Sequence, residues 1–308
     1  MATGRPRLTV TLLLYNTADF IRDCLLSIRE DVLSGFAELV VVDNASPDDS
    51  AEIVEREFPE ARLIRSATNR GFAGGCNLAW AEARGDYWLL LNPDASLPKG
   101  ELREIVQWMD EHAEIGVGSP RVLNSAGEPC YLSLSFPSLS LALLETSRLH
   151  KLLPARARAR LLKVPEWSDE DWVEVDWAPG TALIARRKAV EAAGLLSEQL
   201  FMYGEDVEWC WRIKKAGWRV GVYRRASVRH VGGASSSRSI GREQLARQFA
   251  KNCYAADSVI RGAAYARLLV CVRVLNLALE AVHPLRSAAS RVASRMALRQ
   301  NINVLMGS

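Results

Sequence analysis

The sequence predicts an α/β fold, with a mostly parallel sheet, helices on both of its faces and a helical C-terminal extension. Three observations carry that reading. Short, continuous apolar runs alternate with stretches whose apolar residues recur every three or four positions, the pattern of buried parallel strands joined by crossover helices. The segments directly after those runs are consistently polar or glycine-rich. From residue 240 onward the chain turns helical in pattern and basic, with ten Lys/Arg against three Asp/Glu.

Leu8–Leu14 is apolar and β-branched, as a strand buried on both faces should be. Phe20, Cys24, Ile28 and Val32, four residues apart, give the next segment one apolar helical face. Residues 39–42 form a second strand, stopped by Asp43-Asn44-Ala45-Ser46-Pro47, residue types that dominate turns. A helix over 51–58, a third strand over 61–65 and a helix over 74–83 follow, the last entered through a glycine-rich turn. Tyr87–Leu91 is the fourth strand, ended by Asn92-Pro93-Asp94, and Leu102, Ile105, Val106 and Met109 mark an amphipathic helix. Residues 121–176 carry the weakest pattern. Within them 139–162 is apolar and basic, with Leu141 and Leu144 beside Arg148, Lys151, Arg156, Arg158 and Arg160. The tail repeats this character, setting Leu268, Leu269, Val272, Leu275 and Leu279 beside Arg267, Arg273, Arg286, Arg291, Arg295 and Arg299.

Composition narrows the class. Of 308 residues, 49% are hydrophobic and 24% charged, which excludes a disordered or fibrous chain. The net charge of +3 is too small to argue for nucleic acid. Six scattered cysteines without a Cys-x-x-Cys pair read as reduced core thiols of a cytoplasmic protein. The apolar stretch 263–282 contains Arg267, Arg273 and Glu280, too many charges for a membrane span. The familiar phosphate and nucleophile motifs are missing: no P-loop, no Gly-x-Gly-x-x-Gly after the first strand and no Gly-x-Ser-x-Gly.

Open α/β sheets bind ligands at the carboxyl ends of their strands. The residues to read are therefore Tyr15-Asn16, Asp43-Asn44, 69–77 and 92–94. Asp43-Asn44-Ala45-Ser46, Asn69-Arg70-Gly71-Phe72-Ala73-Gly74-Gly75-Cys76-Asn77, Leu91-Asn92-Pro93-Asp94, Trp177-Ala178-Pro179-Gly180, Met202-Tyr203-Gly204-Glu205-Asp206 and His230-Val231-Gly232-Gly233 occur in that order. In order and spacing these six blocks resemble the inverting family 2 glycosyltransferases of GT-A fold, in their rhamnosyltransferase-like branch.

The resemblance implies a domain over 1–238, with a nucleotide-sugar half (1–120) and an acceptor half (121–238), then the helical extension 239–308. It implies a donor site built from Tyr15, Asn16, Asp43, Asn69, Arg70, Gly71, Gly74, Asn77, Asn92 and Asp94, holding a dTDP- or UDP-sugar. Asp43 would accept the imide N–H of a pyrimidine, or serve only as a local turn cap. Asp48 and Asp49 suit the first turn of a helix instead. Asn92 stands where the family often has the first acid of Asp-x-Asp, so Asp94 needs help to hold Mn²⁺ or Mg²⁺, and the resemblance places His230 nearby. Asp206 matches the general base of the family, with Glu205 orienting the acceptor or sugar. Adjacent carboxylates, Glu208 included, raise one another's pKa, whereas a helix N-terminus lowers it, and sequence leaves the balance open. Trp177, Gly180, Trp209 and Arg212 would shape the acceptor site, Arg212 alternatively pairing with Glu208, and residues 235–238 would form a loop over the diphosphate.

The expected reaction is metal-dependent transfer of a sugar, L-rhamnose from dTDP-rhamnose first, to a lipid-linked or cell-surface glycan. A UDP-sugar transferase of the same fold and a non-catalytic glycan-binding scaffold are the alternatives. A sugar nucleotidyltransferase would need a basic, glycine-rich loop after the first strand, and Tyr15-Asn16-Thr17 offers none. The basic amphipathic stretches suit the inner face of an anionic cell membrane, packing on the main domain, or a second copy of the chain.

Overall fold

The computed structural model describes residues 5–130, 133–147, 152–231, 241–283 and 287–307. Gly232, Gly233, residues 235–238, Arg148, Lys151 and Arg286, all singled out above, lie outside the described residues.

The first four strands are β1 (Leu8–Leu14), β2 (Ala37–Asp43), β3 (Arg62–Arg65) and β4 (Tyr87–Leu91), all mutually parallel. Between them run α1 (Ile21–Leu33), α2 (Ser50–Glu57) and α3 (Gly71–Trp80). β5 (Ala95–Ser96), α4 (Glu101–Glu111), β6 (Ile115–Leu123), α5 (Leu139–Ser147), α6 (Ala155–Leu162), β7 (Trp172–Val175), β8 (Ala182–Arg186), α7 (Arg187–Ala193), α8 (Glu205–Lys215) and β9 (Arg219–His230) complete the sheet and its helices. Three helices follow: α9 (Arg242–Arg261), α10 (Ala263–Val282) and α11 (Ala288–Met306).

The strand order is β3-β2-β1-β4-β8-β6-β9-β5, with β7 paired to β9. The chain winds outward from β1 to β3, then crosses back to lay β4 on the other side of β1. That reversal opens a crevice at the carboxyl ends of β1 and β4. The quartet is parallel throughout, and beyond it the sheet is mixed, with β6 parallel to β9 and the other pairings antiparallel. β8 enters antiparallel to β4, with Leu91 opposite Ala182, and β5 and β7 both run antiparallel to β9. The antiparallel β8 has a consequence for the site: it delivers the segment before it, Trp177 to Gly180, to the edge where β4 ends.

Alternation along the strands fills two layers. Leu8, Val10, Leu12 and Leu14 face α1, α2 and α4 on one side, together with Tyr87, Leu89 and Leu91. Trp88 and Leu90 face α3, α7 and α8 on the other. The polar residues of β1 are satisfied: Thr11 accepts the Trp88 indole N–H at 2.8 Å, and Thr9 accepts the Gly85 N–H at 2.9 Å. β6 runs straight through residue 120, so the two halves expected on either side of it share a strand. Of the cysteines, Cys24, Cys76 and Cys210 are core thiols, whereas Cys130 and Cys271 are exposed.

The extension packs as three mutually contacting helices, with α9 against α8 and α5 against α10. No helix among the described residues is long and apolar enough to cross a membrane.

Candidate active site

The acid pair comes from the start of α8. Gly204, with φ +87°, turns the chain into the helix, and α9 lies against that turn, because a Cβ on Gly204 would meet Asn252 and Ala256. Asn252 also donates to the Met202 carbonyl at 2.7 Å. Glu205 is buried, and its Oε2 has no hydrogen-bond partner. Asp206 accepts the Gly180 N–H at 3.1 Å on Oδ2 and the Val207 N–H at 2.8 Å on Oδ1. Burial pushes both carboxyls upward, Glu205 the further because the Asp206 charge adds to its desolvation. Desolvation outweighs the backbone N–H groups that lower both carboxyls, and repulsion between the acids adds only to Glu205. Glu208 takes no part: Arg212 holds both of its oxygens, at 2.7 and 2.8 Å.

The pair opens onto a cavity of about 530 Å³, a size ordinary for small-molecule sites. Trp177 lines it, with its indole N–H donating to the Ser135 carbonyl at 3.3 Å. Gly180 is there for Asp206, since its N–H steers that carboxylate. The far wall comes from Phe249, Cys253 and Arg273 of the extension. The sequence pattern marks Arg273 among the basic residues of the tail but gives Phe249 and Cys253 no site role, and the cavity reaches past residue 239 into the extension.

Two expected acceptor residues belong elsewhere. Trp209 is fully buried, edge-on to Trp88 at 6.0 Å between ring centres, and donates to the Gly194 carbonyl. It lies one turn beyond Glu205 on the inward face of α8, too deep to meet a substrate. Arg212 donates to the carbonyls of Ala193 and Leu195 while pairing with Glu208, so it clamps the end of α7. Trp209→Ala should cost about 3–5 kcal/mol of stability by urea denaturation, the range for emptying a buried aromatic site.

At the crevice, β2 ends in Asp43, whose Oδ1 accepts the Ser46 N–H at 3.1 Å. Tyr15 and Asn16 follow β1, Asn16 with φ +58°. Asp48 and Asp49 precede α2 rather than sit in its first turn; Asp48 accepts from the Ala18 and Ser50 backbones as a local cap, and Asp49 is the N-cap residue without a side-chain cap bond. Asn44, which the sequence did not mark as a site residue, is the organising side chain. It donates to Asn69 at 3.0 Å and to the Gly71 carbonyl at 3.1 Å, and accepts the Arg70 N–H at 2.9 Å. Asn69 in turn accepts the Gly71 N–H.

The glycine-rich turn is occupied by the protein itself, which corrects the expectation of a bare surface for ligand. α3 begins at Gly71 rather than at 74, and a Cβ on Gly71 would collide with the Phe201 carbonyl. A Cβ on Gly74 would press on Arg70. Arg70 pairs with Glu198 at 3.1 Å, and Asn77 donates to Leu196 and Glu198, so both side chains tie α3 to residues 196–198 and neither is held out for a phosphate. With φ +73° and no room, Gly71→Ala should destabilise the fold by about 1–3 kcal/mol, read from a denaturation midpoint.

The third cluster lies where β4 and β9 end. His230 Nε2 stands 3.1 Å from Asp94 Oδ1 and 3.4 Å from Asn92 Nδ2. Residue 95 pairs with residue 230 across β5 and β9, and the Val231 N–H donates to the Asp94 carbonyl. Among the described residues no group of three or more His, Cys, Asp and Glu gathers as a metal cage. The pair still fits a hard divalent ion. Neighbouring ligands of an octahedral ion at about 2.0–2.1 Å stand about 3 Å apart, and such ions usually take one or two protein ligands plus phosphate and water.

Residues 9–161 match the family model described as glycosyl transferase family 2. A low-salt glycan biosynthesis hexosyltransferase of Haloferax volcanii is 28% identical over 193 residues, covering 61% of this chain and 57% of that protein. An N-acetylglucosaminyl-diphospho-decaprenol L-rhamnosyltransferase of Mycobacterium tuberculosis is 23% identical over 224 residues, 65% of this chain and 68% of that one. Among solved structures, a mannosyltransferase of Pyrobaculum calidifontis in complex with GDP-Man and Mn²⁺ superposes with a TM-score of 0.61 at 20% identity, over 99% of this chain and 88% of that one. TarS of S. aureus in complex with UDP gives 0.55 at 16%, over 98% and 90%. The likeness to these structures is one of fold, and it identifies the sheet and its helices as GT-A.

Proposed function

This chain belongs, through residues 9–161, to glycosyl transferase family 2, and from that premise we propose that it is an inverting, metal-dependent glycosyltransferase acting on a lipid-linked saccharide or growing glycan. The donor is a pyrimidine nucleotide sugar, dTDP-rhamnose first and a UDP-sugar second. The observation that carries the reading is the Glu205/Asp206 pair at the floor of a substrate-sized cavity, one carboxylate steered by two backbone N–H groups. The likeness to a rhamnosyltransferase with a decaprenol-linked acceptor supports the choice of sugar and acceptor.

Inversion needs one displacement. Asp206, held by Gly180 and Val207, takes the proton of the acceptor hydroxyl as its oxygen attacks the anomeric carbon. The bond from that carbon to the nucleoside diphosphate breaks on the opposite side, and the proton stays on Asp206. Glu205, with the higher affinity for a proton, enters as the neutral acid and donates a hydrogen bond to the acceptor or sugar. Trp177 offers an aromatic wall to a sugar ring. Asp94 and His230, with Asn92 beside them, would hold a divalent ion, which would supply Lewis-acid neutralisation of the diphosphate. Asp43 reads the pyrimidine with the oxygen not used on Ser46.

The exposed Leu268, Leu275 and Leu279, one stripe of α10 next to Arg267, support a place at the inner membrane face. Calorimetry with dTDP-rhamnose and several UDP- and GDP-sugars, with and without Mn²⁺, tests the proposal. Selective, metal-dependent binding of one pyrimidine donor is expected; binding of none by folded protein would overturn it.

A further inference from the structure

The extension encloses a second space. Helices α9, α10 and α11 surround a partly open chamber of about 850 Å³, larger than the acceptor cavity. The space is partly open and mostly apolar, of a size that takes a small hydrophobic ligand. Its origin is legible in α11. Ala289, Ala293 and Ala297 recur every four residues along the lining, where longer side chains would have filled the bundle. Leu245, Leu277 and Met296 supply the greasy walls, and Phe249 and Val292, 53% and 57% exposed, stand at the rim.

Two facts connect this chamber to the acids. Tyr203, Phe249, Cys253, Arg273 and Asn276 line both the chamber and the cavity holding Glu205 and Asp206. At that junction Arg273 is anchored by Asp257, 2.7 Å from its Nη2, yet its Nη1 is buried without a hydrogen-bond acceptor. The side chain is 28% exposed and already paired, so Nη1 is one shielded donor, which a phosphate oxygen would satisfy with a charge-assisted bond.

We propose that the helical extension is the lipid-binding part of the acceptor site: the chamber takes the hydrocarbon chain of an isoprenoid diphosphate, Arg273 takes a phosphate oxygen at the junction, and the attached saccharide reaches Asp206. The proposal rests on the glycosyltransferase reading and gives its acceptor a place on the chain. It also accounts for a 70-residue extension that no step of the donor chemistry uses. Helix α9 then has a double role, bracing the Gly204 turn that presents the acids while forming one wall of the lipid site.

The test uses the full chain and farnesyl diphosphate as the probe, titrated with uridine or thymidine diphosphate present to fill the donor site. Inorganic pyrophosphate and farnesol are the two half-ligands. Farnesyl diphosphate should bind at least about tenfold more tightly than pyrophosphate, since each buried methylene adds to affinity. Ala297→Phe, which blocks the chamber, should weaken farnesyl diphosphate about tenfold and leave pyrophosphate unaffected. Arg273→Gln should weaken both. Ala246→Phe, on the α9 wall, repeats the obstruction if Ala297→Phe does not fold. Farnesyl diphosphate binding no better than pyrophosphate, or binding untouched by both chamber variants, would overturn the proposal. Nucleotide binding in the same samples reports folding of each variant. Its absence in the unaltered chain would count against the glycosyltransferase reading, whereas the farnesyl diphosphate result decides the lipid site.

Discussion

Asp206→Asn should lower sugar transfer about 10²–10⁴-fold while leaving donor affinity unchanged, the range for losing a positioned general base. The separation follows from geometry. Asp206 opens onto the proposed acceptor cavity and is held by Gly180 and Val207, whereas the residues proposed for the donor lie at the ends of β1, β2 and β4. An amide at this position accepts only one of the two backbone N–H groups, and the orphaned one costs about 1–3 kcal/mol. A melting curve beside the kinetics separates that loss from the loss of the base. Donor binding lost in step with transfer would remove Asp206 from the role.

The neighbouring acid sets the pH behaviour. Burial raises both carboxyls, and Glu205, with no partner on Oε2 and the Asp206 charge beside it, titrates last. Asp206 therefore ionises while Glu205 is still neutral, and the acidic limb of the rate profile lies above the ordinary Asp value of 3.8. Glu205→Gln should leave that limb where it is. Stability has a definite sign as well. Above the ordinary Glu value of 4.5 the folded protein keeps a proton that the unfolded chain releases, so stability falls as pH rises through the folded value. Urea midpoints between about pH 5 and pH 8 should decline for the unaltered chain and decline less for Glu205→Gln. An equal decline in both would place the shared proton elsewhere.

The strands buried on both faces were legible because they are apolar without interruption, as in β1 and β4. β6 was not, for a reason its contacts explain. Gly116 and Gly118 leave room for the rings of Trp218 and Trp108, and Pro120 sits where the register with β9 slips, so a central strand carries the composition of a loop. β9 hid behind its arginines. In the candidate site, the fold rule and the motif blocks point to Asp94, His230, Glu205 and Asp206, and the structure gathers them as two close pairs. Trp209 and Arg212 were misread because closeness in sequence to the acids says nothing of depth along a helix that buries one face. Asn44 stands within one of the blocks, but a side chain that holds a turn together leaves no mark in the sequence distinct from one that merely occupies it. The contribution of α9 and α10 to the acceptor cavity depends on how distant helices dock, and local pattern carries none of that information.

Asp94→Ala should remove the metal dependence of donor binding, dropping affinity in Mn²⁺ to the value measured with chelator. The expected loss is about 100-fold, at the upper end of what changes around metal ligands produce. Asp94 is buried at the end of β4 with Oδ1 3.1 Å from His230 Nε2, and both side chains are placed by the short β5–β9 pairing. With these two groups gathered there among the described residues, the site should have little metal affinity until a diphosphate adds its oxygens, so metal and donor should bind with strong mutual dependence. Titrating Mn²⁺ against the chain with and without nucleoside diphosphate checks this directly. Tight Mn²⁺ binding without nucleotide would point to further protein ligands, and donor affinity indifferent to Asp94→Ala would take the metal away from β4. Asn92 gives the complementary measurement. Its amide replaces a second carboxylate, so Asn92→Asp adds a charge beside Asp94 and His230 and should tighten Mn²⁺ binding in the absence of nucleotide. The mutual dependence of metal and donor then weakens as the protein supplies more of the charge itself, which ties the single-acid motif to a metal that arrives and leaves with the diphosphate.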